Sequence, residues 1–172
     1  TSGRTALYFK LFGRACIPEW SGIAAGCSHP HQNPKRDFMH TLDRQSEQLR
    51  EAGINFVFKP ELSWLRSDIK KFGLSQRYVL VVPGGSARRV KKQWPVNRFR
   101  ELAIKLNLSG LQVVLIGQES ETIMHSELAS KLDRVVSLAG ETTLAEVAEL
   151  GRSATISIGN DTGPMHILAA GN

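Results

Sequence analysis

Hydrophobic and polar positions follow two rhythms along this chain of 172 residues, and the change comes near residue 75. From Tyr78 to Val82 the sequence is apolar without a break and rich in Val, as in a strand covered on both faces. A glycine-bearing loop follows, and then Phe99, Leu102, Ala103 and Leu106 recur at helical spacing, with Gly110 as a stop. Leu111 to Ile116 repeats the buried-strand pattern. The stretch from Glu119 to Leu132 predicts a helix with Met124, Leu128 and Leu132 on one stripe. A short strand is expected at Val135 to Leu138. Thr143 and Glu146 then have the spacing of a capping box that opens another helix. Thr155 to Ile158 predicts a fourth strand, and Pro164 stands where a last helix would start. Four strand–helix alternations predict an α/β fold with a Rossmann-like, doubly wound parallel sheet.

The first 75 residues lack this alternation. Arg4 to Phe12 reads as a helix, Trp20 to Ala24 as a short strand, and Cys27 to Arg36 as a loop rich in His, Pro and Asn. Phe38 to Ala52 predicts a helix closed by Gly53, and Leu62, Leu65, Ile69 and Phe72 predict another closed by Gly73. That is too few strands for an independent α/β domain. The expected division is a domain tail with linker over 1–75 and a ligand-binding, truncated Rossmann-like domain over 76–172.

Composition narrows the functional classes. With 41% hydrophobic and 22% charged residues the chain is an ordinary globular one, and no apolar run approaches the ~20 residues of a membrane-spanning helix. Thr1 stands where an initiator Met would be, no signal-peptide pattern follows, and the sequence stops inside a helix-like stretch; both ends read as cut. Cys16 and Cys27 read as reduced thiols of a cytosolic protein. The net charge of +6 suits an anionic partner, but the basic residues are scattered apart from Arg88, Arg89, Lys91 and Lys92. Basic and aromatic residues do not interleave, so nucleic acid is not an expected partner. His29, His31 and His40 show no metal-ligand spacing and read as surface-loop residues, and His125 reads as an exposed helix residue; no metal or cofactor is expected.

In an open parallel sheet, ligands bind beyond the carboxyl ends of the strands. Three segments fall there. In the first, Pro83 to Pro95, two glycines would let backbone approach a ligand, and the Ser86 hydroxyl and Lys92 ammonium suit phosphate oxygens. A surface turn with solvated lysines reads equally well. In the second, Gly117 to Glu119, the acid could take two ribose hydroxyls or simply favour a helix dipole. The third is Asn160 to His166. Asp161 or Thr162 would cap a helix, Gly163 would give access, Pro164 would preset the first turn, and His166 would lie within it. It reads as a plain helix start or as an anion site carrying a histidine.

From Tyr78 to Gly171 the sequence resembles the carboxyl-terminal domain of the ADP-heptose:lipopolysaccharide heptosyltransferases, glycosyltransferase family 9. The marks are P-G-G-S…K-x-W-P, the strand-ending G-x-E, L-A-G-x-T-T-L-x-E from Leu138 to Glu146, and D-T-G-P-M-H from Asp161 to His166. His40, Asp43 and Arg44 resemble the H-x-x-D-R helix near the end of that family's amino-terminal domain. The four basic residues in the first loop depart from the family pattern.

The resemblance implies a GT-B architecture, with a nucleotide-sugar donor held between two Rossmann-like domains. It implies that Ser86 and Lys92 hold the donor phosphates, that Glu119 holds the ribose, and that Asp161, Thr162, Gly163 and His166 hold the pyrophosphate and the sugar. The activity implied is inverting, metal-independent transfer of a heptose from ADP-heptose to the lipopolysaccharide inner core. The place implied is the cytoplasm, with peripheral contact at the inner membrane. The family's base is a carboxylate from the start of the amino-terminal domain, so no residue here is a candidate base and this chain alone is expected to be inactive. The alternatives are another GT-B transferase or an epimerase using a different nucleotide sugar, or a nucleotide-binding module inactive alone.

Overall fold

The computed structural model describes residues 7–9, 11–12, 16, 18–56, 58, 61–85 and 91–171. Its chain forms two compact units, Thr1–Lys59 and Pro60–Asn172. In the first, β1 (Ser21–Gly22) pairs in parallel with β2 (His29–Pro30), and α1 follows at Thr41–Glu51. The strand expected over 20–24 is thus two residues long, and its partner lies in the segment read as a loop. The helix expected from Phe38 begins later, because Arg36–Phe38 is a separate 3-10 turn and His40 is the N-cap, its ring accepting from Leu42 N at 3.4 Å. Gly53 closes α1 at φ 82°, as expected. The helix read at Arg4 to Phe12 lies partly outside the described residues; Leu7, Tyr8 and Phe9 are helical, and Leu11 and Phe12 form a turn.

The second unit carries the predicted sheet. β3 (Tyr78–Val82), β4 (Gln112–Leu115), β5 (Val135–Ser137) and β6 (Ile156–Gly159) are all parallel, in the order β5-β4-β3-β6. Between them run α2 (Val96–Leu108), α3 (Thr122–Ala129) and α4 (Leu144–Ser153), with α5 (Gly163–Ala170) after β6. Successive strand residues face opposite ways, so the central strands feed two cores. Leu80, Val82, Val114 and Ile116 pack with Val147 and Leu150 of α4 and Leu168 of α5. Val79, Val81, Val113 and Leu115 pack with Phe99 and Ala103 of α2 and Leu128 of α3. Helices cover both faces, so the strands read as unbroken apolar runs. At Thr143 the capping box forms as predicted, with Thr143 N donating to Glu146 Oε2 at 2.7 Å and Glu146 N to Thr143 Oγ1 at 3.3 Å. No helix among the described residues is long and apolar enough to cross a membrane.

The helix expected through Leu62, Leu65, Ile69 and Phe72 is reduced to a 3-10 turn, Lys70–Phe72, ended by Gly73 at φ 57°. Its apolar spacing has another cause. Ile69, Phe72 and Leu74 pack on the α4–α5 side of the core, and Arg152 donates to the carbonyls of both Leu62 and Leu65 at 2.7 Å. Bonds to a helical arginine replace the ladder a helix would have made. A second arginine acts in the same way. Arg100, on α2, donates to the carbonyls of Glu127, Leu128 and Ser130 and so satisfies the carboxyl end of α3.

Two side chains fix the loops at the carboxyl edge. Asn160 is buried just past β6; its amide donates to the carbonyls of Pro83 (2.7 Å) and Gly84 (3.2 Å), and its Oδ1 accepts from Trp94 N at 2.7 Å. Glu146 accepts from Thr143 and pairs with Lys71 Nζ at 2.5 Å. The lysine, with the Thr143 backbone bond, holds its carboxyl down from 4.5 to about 2.

Two outcomes are expected. Replacing Asn160 by Asp keeps the acceptor but turns an oxygen toward two carbonyls, which should cost about 1–3 kcal/mol in urea unfolding. A depressed carboxylate contributes stability above its unfolded pKa and loses it as pH falls through the folded one. The melting temperature should therefore drop from about pH 4.5 toward about pH 2, and drop less in Lys71→Met, whose Glu146 lies closer to its ordinary value.

Candidate functional site

At the carboxyl edge of the sheet, four loops surround a cleft of about 1030 Å³. Gly84 and Gly85 come from the loop after β3, Gly117, Gln118, Ser120 and Glu121 from that after β4, Gly140 and Thr142 from that after β5, and Asp161 to Pro164 from that after β6. Val82, Ile116 and Val147 form its apolar floor. The three loops read as chemical in the sequence thus meet on one edge.

The last of these places a helix N-terminus at the cleft. Thr162 occupies the N-cap position of α5 with Gly163 and Pro164 behind it. Neither expected capping side chain closes it. The Thr162 hydroxyl donates back to the Asn160 carbonyl at 3.3 Å, and Asp161 lies 3.4 Å from His166 Nε2. Backbone N–H groups and the positive end of the helix dipole are left toward the cleft, a combination that favours an anion. Asp161, Thr162 and Gly163 line the cleft; His166 is mostly exposed at its rim beside Asp161.

The other predicted residues stand apart. Ser86 lies outside the described residues. Lys92 is exposed in the turn before Trp94 and does not line the cleft. Glu119 is also exposed, its Cβ and backbone packed beside Gly140. The carboxylate that enters the cleft belongs to Glu121, two residues on. Its Oε2 accepts from Gln118 N at 2.8 Å. A Cβ on Gly84 or on Gly117 would collide with this carboxylate, and one on Gly85 would meet the Gln93 side chain at 2.8 Å. The glycines therefore make room for Glu121 and Gln93. The sequence signal for Glu121 was the Gln-x-x-Glu spacing at the start of a helix, which folds the fourth residue back over the first.

Two histidines are buried against expectation. His125 is wholly buried on α3, with Nδ1 2.9 Å from Ser137 Oγ, and burial pushes its pKa from 6.5 down to about 4. α3 ends at Ala129; Met124, Leu128 and Leu132 all pack on one core, as expected, and His125 is buried beside Leu128. In the first unit, His31 is buried next to Glu47 and Glu51. Arg36 Nε donates to His31 Nδ1 at 2.9 Å, which leaves the ring proton on Nε2, pointed toward Glu47 Oε2 at 3.7 Å. Glu47 also accepts from Asn33 Nδ2 at 2.7 Å. A ring whose Nε2 carries the proton offers no lone pair to a cation there, so the cluster is a hydrogen-bonded anchor for α1.

Comparison with known proteins gives this cleft its relatives. Residues 27–172 match glycosyltransferase family 9 (heptosyltransferase). Lipopolysaccharide heptosyltransferase 3 of Escherichia coli is 32% identical over 158 residues, which cover 80% of this chain and 46% of that protein. Lipopolysaccharide heptosyltransferase 2 of Salmonella typhimurium is 33% identical over 121 residues, 66% of this chain and 34% of the relative. The chain spans less than half the length of the curated relatives it matches. Among solved structures, E. coli ADP-heptose lps heptosyltransferase II superposes with a TM-score of 0.54 at 31% identity, over 68% of this chain and 36% of that one. E. coli heptosyltransferase WaaC, solved with ADP, gives 0.59 at 23% identity over 86% of this chain and 46% of that one, a likeness of fold. With the family matched over all but the first 26 residues, and with the parallel α/β fold of the GT-B heptosyltransferases, the chain belongs to glycosyltransferase family 9.

Proposed function

We propose that this chain supplies the donor-binding half of an inverting, metal-independent glycosyltransferase that moves a heptose from ADP-heptose to the lipopolysaccharide inner core, at the cytoplasmic face of the inner membrane. The observation that carries this reading is the cleft at the carboxyl edge, into which the uncapped N-terminus of α5 opens beside the Glu121 carboxylate. The amino end of α5 suits the donor's pyrophosphate. Lys92, and His166 when protonated, are assigned to the same charge from the rim, and Ser86 is assigned to it from the sequence resemblance. Asp161 cannot attract phosphate, so its carboxylate is assigned to the sugar's hydroxyls. For the ribose hydroxyls the geometry favours Glu121, which faces the cleft, over Glu119, which does not. Relatives support the choice of donor: one solved WaaC complex holds ADP and another ADP-2-deoxy-2-fluoro heptose. No residue of this chain is assigned as the base, and the domains are read as an amino-terminal tail over 1–75 and a donor domain over 76–172.

Calorimetric titration with ADP, UDP and GDP tests the reading. ADP should bind most tightly, and the chain alone should show no heptose transfer. Equal affinities would remove the adenine donor, and no binding at all would remove the site. Lys92→Ala should weaken ADP and ADP-heptose alike, about three- to tenfold, since a charge-assisted bond at an exposed rim is partly screened. Asp161→Ala should weaken ADP-heptose more than ADP and leave the melting temperature nearly unchanged, because no cap is lost. Glu121→Ala should weaken ADP severalfold and Glu119→Ala hardly at all; the reverse order would return the ribose to Glu119.

A further inference from the structure

The His125 imidazole is wholly buried, and its Nε2 has no hydrogen-bond partner. A core position facing Leu128 would be filled at lower cost by an apolar side chain, so the histidine calls for a reason. Its surroundings supply one. Ser137 Oγ, 2.9 Å from Nδ1, also accepts from Ala139 N at 3.4 Å. With the ring proton on Nε2, the hydroxyl donates its own proton to Nδ1. Nε2 lies beside Gly117. A Cβ there would stand 2.9 Å from Nε2 and would collide with Glu121 Oε2. The histidine and the acid, one turn apart on the same helical face, converge on the space left by the missing side chain.

We propose that His125 is a positioning residue of the nucleotide site, its buried Nε2–H closing on Glu121 Oε2 across Gly117 when the cleft fills. The proposal rests on the assignment of Glu121 to the ligand's ribose hydroxyls. A carboxylate oxygen has room for two donors. With Gln118 N and His125 Nε2–H on Oε2, the other oxygen, Oε1, is held on the Gly84 side of the cleft, free for two vicinal hydroxyls. The imidazole stays neutral because burial disfavours its charged form, so it supports the carboxylate as a donor rather than as a counter-ion. Leu, Phe or Met at this position would fill the same volume and offer no hydrogen to the acid.

The test compares ADP with 2′,3′-dideoxy-ADP, which lacks the hydroxyls, in calorimetry on the full chain. An Asn amide stands where Nδ1 was and keeps the Ser137 contact but not the Nε2 donor; a Gln amide reaches the Nε2 position. His125→Asn should weaken ADP about three- to tenfold, leave the dideoxy analogue unchanged, and have no further effect in a Glu121→Ala background. His125→Gln should retain most of the wild-type affinity for ADP. If the Asn variant does not fold, His125→Leu takes its place. Equal losses for both nucleotides, no rescue by Gln, or a full additional loss on top of Glu121→Ala would overturn the positioning role. Should Glu121→Ala itself leave the preference for ADP over the dideoxy analogue intact, the ribose assignment fails and the proposal with it. Loss of that preference in Glu121→Ala but not in His125→Asn overturns the proposal alone.

Discussion

The cleft at the carboxyl edge depends on one buried amide. Strand pairing sets β3 beside β6, but it does not say where the loops beyond them go. Asn160 does: it reaches from the end of β6 to two carbonyls after β3 and to the amide that precedes α2. These are backbone groups at a sheet edge, without ladder partners, and buried polar groups must be paired. One side chain with both donors and an acceptor meets the need, which neither Asp nor Leu could do. Trp94, so placed, meets Phe99 edge-on with ring centroids 4.7 Å apart, and α2 starts from there.

Much of this was legible in the sequence. Tyr78 to Val82 and Leu111 to Ile116 could hardly be anything but covered strands, because burial on both faces demands apolar side chains at every position. The Thr143–Glu146 box and Gly53, Gly73 and Gly110 marked ends correctly, since caps and positive φ are local matters. Errors arose where a distant partner decided. Leu62 and Leu65 have helical spacing, yet Arg152, ninety and eighty-seven positions away, takes their carbonyls. Polar neighbours made His125 look exposed, while Ser137, twelve positions on, makes its burial tolerable.

The candidate site was legible as a set of loops rather than as a set of side chains. The principle that ligands lie beyond the carboxyl ends of parallel strands located all three segments. Which acid enters the cleft depends on how the 3-10 turn Glu119–Glu121 winds into α3, and that winding puts Glu121 inside and Glu119 out. Asp161 and Thr162 looked like caps because their residue types usually are. Here the neighbouring His166 and the Asn160 carbonyl compete for them, and the helix end stays available.

Arg100 has a consequence beyond the helix end it satisfies. Asn160 fixes the start of α2, Arg100 on α2 grips the far end of α3, and α3 bears His125, with Glu121 at its near end. The path returns to the cleft it left, as a four-bar mechanism does. A short rigid helix pivoting at one end moves most at the other. A surface arginine far from the cleft thus ties the helix that begins beside Glu121 to the helix that Asn160 starts, so a change at its position reaches the cleft rim as well as the helix end.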